Sequence, residues 1–66
     1  MNRYHILIIT GGQEYNTHKV EANGVAWSES GLYEFWRFDE DRKKVSVAYY
    51  PVDRTIIEYI EYGIDD

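Results

Sequence analysis

The chain has 66 residues, enough for one domain and no more, and a domain of this size hides only about 60% of the surface its unfolded chain exposes. It has no cysteine, which removes disulfides, Cys-based zinc centres and thiol nucleophiles, and its formal charge of −5 argues against phosphate backbones and anionic membranes as partners. No run approaches the roughly 18 apolar residues of a membrane span, and the apolar stretch 6–10 is too short for a signal peptide, so a cytoplasmic setting is expected.

Residues 3–10 (Arg-Tyr-His-Ile-Leu-Ile-Ile-Thr) are rich in β formers and are closed by Gly11 and Gly12, which predicts a strand. Tyr4, Ile6 and Ile8 form one face and Leu7 and Ile9 the other, so this strand is expected to be central or covered on both sides. Residues 14–22 alternate more weakly and stop at Asn23-Gly24, a strong short-range hairpin signal that predicts a turn into a third strand over 25–28. After Ser30 and Gly31, residues 32–38 predict a long strand with Leu32, Glu34, Trp36 and Phe38 on one face and Tyr33, Phe35 and Arg37 on the other. The charged run 39–44 predicts a solvated hairpin loop before a strand over 45–50, which Pro51 ends because it has no N–H for the ladder.

Residues 52–62 admit two readings. A helix would align Val52, Ile56 and Ile60, with Thr55 and Glu58 at capping-box spacing and Gly63 as a C-cap. The β-forming run from Thr55 to Tyr62, entered through a one-turn link at 51–53, favours a strand. The expected fold is a single all-β domain over 1–66: five or six strands in a strongly bent sheet or an SH3-like or Sm-like barrel, with α+β and a C-terminal helix over 52–62 as the alternative.

The ending Val47-Ala48-Tyr49-Tyr50-Pro51-Val52-Asp53-Arg54-Thr55-Ile56-Ile57, preceded by an aromatic strand and a charged hairpin, resembles the C-terminal half of many small phage-encoded proteins. The resemblance covers about half the chain and transfers no site residues. It implies a virus-encoded accessory protein acting on a host component.

Residue types for chemistry are present without the patterns that chemistry needs. His5 and His18, with Glu14 or Glu21, could serve a metal or acid–base site, but their spacing matches no such motif. Thr10-Gly11-Gly12 lacks the Lys and Ser or Thr of a phosphate loop, and neither Ser28 nor Ser30 sits in a nucleophile elbow. No catalytic residue, metal or cofactor is assigned, and a non-enzymatic role is expected.

With no disulfide or metal, stability must come from large side chains or a partner subunit, and 17% of the chain is aromatic. Leu32, Trp36 and Phe38 are expected to be core. The interface candidates are Trp27, Tyr33, Phe35, Trp36 and Arg37, because aromatic residues and Arg dominate the energetic centres of interfaces. Acidic residues gather at Glu58, Glu61, Asp65 and Asp66, and Glu58 and Glu61 are a second candidate surface for a basic partner. The expected function is inhibition or sequestration of a host protein or small ligand by non-covalent binding, by a homo-oligomer; the alternative is a structural or decoration subunit of a larger assembly. Arg42, Lys43 and Lys44 are opposed by Asp39, Glu40 and Asp41, so nucleic acid is not an expected partner.

Overall fold

The computed structural model describes residues 1–12 and 14–64. It contains strands β1 (Asn2–Thr10), β2 (Glu14–Ala22), β3 (Gly24–Trp27), β4 (Leu32–Phe38), β5 (Lys44–Pro51) and β6 (Thr55–Glu61), with one 3-10 turn at Val52–Arg54. The all-β reading therefore holds, and the alternative helix over 52–62 is replaced by a turn and a strand. β-branched and aromatic residues dominate that stretch and pair with β1, which outweighs the helical spacing of Val52, Ile56 and Ile60.

All pairings are antiparallel and form two three-stranded sheets, β2-β1-β6 and β3-β4-β5. The ladders are separate, so the sheets are not closed into a barrel. β1 is central in the first sheet, as its two apolar faces require. Gly11 and Gly12, both at positive φ, turn β1 into β2. At the charged loop, Asp39 Oδ1 accepts from the Asp41 and Lys43 N–H groups while Arg42 adopts positive φ.

The Asn23-Gly24 hairpin does not form. β2 and β3 lie in different sheets, and Asn23 is the corner where the chain passes between them. Its N–H donates to the Trp36 carbonyl at 2.8 Å and its Oδ1 accepts from the Phe38 N–H at 3.0 Å, so its polar groups tie the corner to β4. Gly24 is needed for close approach instead: a Cβ there would run into the Trp36 indole.

Tyr4, Ile6, Val20 and Ala22 of one sheet and Phe35 of the other form the buried core, flanked by Ile8, Val25, Tyr33, Ala48, Tyr50, Ile57 and Ile60. Phe35 sits edge-on to Tyr4 (5.1 Å between centroids) and to Tyr50 (5.8 Å). A bulge in each sheet adjusts which side chains face in. Ile6 pairs with Ile57 and His5 with Tyr59, leaving Glu58 as the extra residue, and Val47 is the extra residue opposite Phe35 and Trp36. The molecule is a slab of 42 × 26 × 12 Å, about one inter-sheet spacing thick. It exposes 4907 Å², against about 4,400 Å² for a compact monomer of its mass. No helix among the described residues is long and apolar enough to cross a membrane.

Candidate functional site

The two faces of β4 are the reverse of the sequence expectation. Phe35 is 0% exposed and so not free to meet a partner as an interface residue, and Tyr33 is half-buried against the core, whereas Phe38 is 47% exposed and Trp36 is itself only half-buried. Both faces are apolar, so alternation alone does not decide between them. Charge does: turning Leu32, Trp36 and Phe38 inward would bury Glu34 in mid-strand, whereas Arg37 lies near the strand end and stays exposed.

Outward from β3-β4-β5, cross-strand pairing sets Gly24 beside Trp36, Trp36 beside Ser46, Glu34 beside Tyr49 and Phe38 beside Lys44. The Trp36 indole lies against Gly24, takes the Phe38 ring edge-on at 5.2 Å, and carries the Lys44 ammonium 4.3 Å from its centroid. Beside it, Ser46 donates to Glu34, and the Tyr49 hydroxyl reaches Ser46 at 3.0 Å and Glu34 at 3.4 Å. Trp36 and Tyr49 are thus anchored in the protein while remaining open to solvent. Trp27, 74% exposed, stands apart beside Leu32, Pro51 and Val52 at the end of the same sheet.

Glu58 and Glu61 lie on the other sheet, and the structure joins Glu61 to His5, which the sequence did not suggest. Arg3, His5, Lys19, Glu21, Tyr59 and Glu61 share the outer face of β2-β1-β6 through the registers Arg3 with Glu21 and Glu61, and His5 with Lys19 and Tyr59. A carboxylate only accepts, so His5 Nε2 carries the hydrogen of its 2.5 Å bond to Glu61. The His5 ring stacks on Tyr59 at 4.0 Å and 12°, which leaves it 9% exposed although it faces outward. Arg3 lies 3.3 Å from Glu21 and 3.7 Å from Glu61. The hydrogen bond from His5 holds the Glu61 carboxyl below its ordinary value of 4.5; burial opposes this, and the charges of Arg3, His5 and Lys19 add to it. Asp65 and Asp66, the rest of the expected acidic patch, lie outside the described residues.

His18 pairs with Ile6 and so projects to the opposite side of the sheet from His5, edge-on to Tyr50 at 6.1 Å. Ser28 and Ser30 bond to each other at 2.9 Å within a turn. Among the described residues no group of three or more His, Asp or Glu side chains is placed to hold a metal ion. The anchoring partners Gly24, Lys44, Ser46 and Tyr49 were missed because each gains its meaning from strand register. The one sequence signal was Gly24 inside a β pattern, which marks close approach as readily as a turn. No known protein family, curated protein or solved structure matches the chain.

Proposed function

We propose that this chain works by non-covalent binding, with the outer face of β3-β4-β5 as its contact surface and a protein as its partner. The observation that carries this reading is the pair Trp36 and Tyr49, large side chains fixed by Gly24, Lys44, Ser46 and Glu34 before any partner arrives. Aromatic anchors held in place lose little rotamer freedom on binding, and such residues supply most of the energy at interface centres. The excess of acids over bases favours a basic partner surface and steers its approach. The likeness of residues 47–57 to small phage-encoded proteins supports a host protein as the one blocked. In this reading the fold is an SH3-like roll: the first strand pairs with the last, and the chain crosses between sheets at Asn23 and returns through the 3-10 turn before the last strand.

The test is native mass spectrometry of the protein purified from its host, with Trp36→Ala alongside. A partner protein in stoichiometric complex with the wild type is expected, reduced at least about tenfold in the variant while its unfolding remains cooperative. Recovery of the same complex with Trp36→Ala would refute the assignment. A second reading, a subunit of a larger assembly, is favoured by exposed apolar residues on both outer faces, Phe38 and Tyr49 on one and Ile56 and Tyr59 on the other. It expects a homo-oligomer that grows with concentration in the absence of any other protein.

A further inference from the structure

We propose that the outer face of β2-β1-β6 holds a separate small-molecule site, which takes a planar heteroaromatic ring carrying an anionic group, as a mononucleotide does. This site lies on the opposite sheet from the protein-binding face and does not rest on that reading. A cleft of about 560 Å³ is lined there by His5, Thr17, Lys19, Glu58 and Tyr59, and is bordered as well by Ile6 and His18; its size lies within the range of small-ligand sites. The bulge at Glu58 shapes it. Ile57 and Ile60 both pack against the core, so the two residues between them, Glu58 and Tyr59, turn outward together.

Side-chain contacts hold the floor of the cleft in place. His5 is fixed by Glu61 through Nε2 and by the Tyr59 ring stacked on it. One face of Tyr59 is spent on His5, yet Tyr59 remains 56% exposed, which leaves its other face open to a second ring. Glu58 beside it accepts from ring N–H or exocyclic amino groups. Across the sheet, Lys19 and Tyr59 are both partners of His5, so their Cα atoms stand two strand spacings, about 10 Å, apart. His5 stands between them, so a ring on Tyr59 carries its anion, one sugar away, back across His5 toward Lys19. Arg3 is engaged by Glu21 and Glu61, whereas Lys19 makes no ion pair among the described residues, so Lys19 is the cation left to meet the ligand.

The experiment is an NMR titration of the full chain that follows the His5, Lys19 and Tyr59 signals with three probes: adenosine 5′-monophosphate, adenosine, and ribose 5-phosphate. Saturable shifts are expected with the nucleotide, and at least about tenfold weaker binding with either fragment. Lys19→Met should reduce nucleotide affinity to that of adenosine, Tyr59→Leu to that of the sugar phosphate, and Trp36→Ala should leave it unchanged. The proposal is overturned if the nucleotide gives no saturable shift at millimolar concentration. Equal binding of nucleotide and ribose 5-phosphate, or full affinity in Lys19→Met, overturns it as well.

Discussion

The Glu61 carboxylate accepts a hydrogen bond from His5 and faces Arg3, so it stays ionised to lower pH than a free glutamate. A folded-state pKa below the unfolded value means that the stabilisation is complete above the unfolded value and fades as pH falls through the folded one. Glu61→Gln is therefore expected to melt below the wild type at neutral pH, with the gap closing as the pH drops beneath 4.5. A gap that persisted unchanged into acid would show that the charge on Glu61 stabilises nothing. No sequence pattern announced this contact, because Arg3, His5 and Glu61 come together only through the register of β1 with β6. Gly24 was visible but misread: Asn-Gly fits a tight turn, and here the small residue serves the indole lying on it.

At the level of elements, β1, β4 and β6 were legible because β-branched and aromatic runs bounded by Gly or Pro leave few other conformations. The 3-10 link before β6 was legible for the same reason, since Pro51 ends one ladder and the chain must turn before the next. Bulges were not legible, because an extra residue shows only against its partner strand. The bulge at Glu58 carries its own prediction. Removing Glu58 leaves Ile57, Tyr59 and Ile60 in strict in-out-in alternation, so the deletion should fold with a thermal midpoint within about 8 °C of the wild type, or roughly 1 kcal/mol. Loss of cooperative unfolding would mean that β6 needs the bulge to pack. A deletion variant that folds but no longer binds the nucleotide would assign the bulge to the cleft rather than to packing.

For the whole molecule, a slab one inter-sheet spacing thick has little room for a core, and only Tyr4, Ile6, Val20, Ala22 and Phe35 are buried apolar residues among those described. The stability expected of 66 residues is about 3 to 10 kcal/mol. Each inward aromatic is then a large share of the total, and each outward one is free for another use. This makes the two faces of β4 the hinge of the functional reading, and the adjacent pair Phe35 and Trp36 tests it most directly. Phe35→Ala should cost about 3 to 5 kcal/mol and leave the domain largely unfolded at room temperature or melting far below the wild type. Trp36→Ala, half-buried over Gly24, should cost about 1 to 2 kcal/mol and give a folded protein that melts cooperatively and has lost its partner. Thermal unfolding of the two variants side by side is the measurement: the account predicts that order, and a folded Phe35→Ala beside an unfolded Trp36→Ala would contradict it.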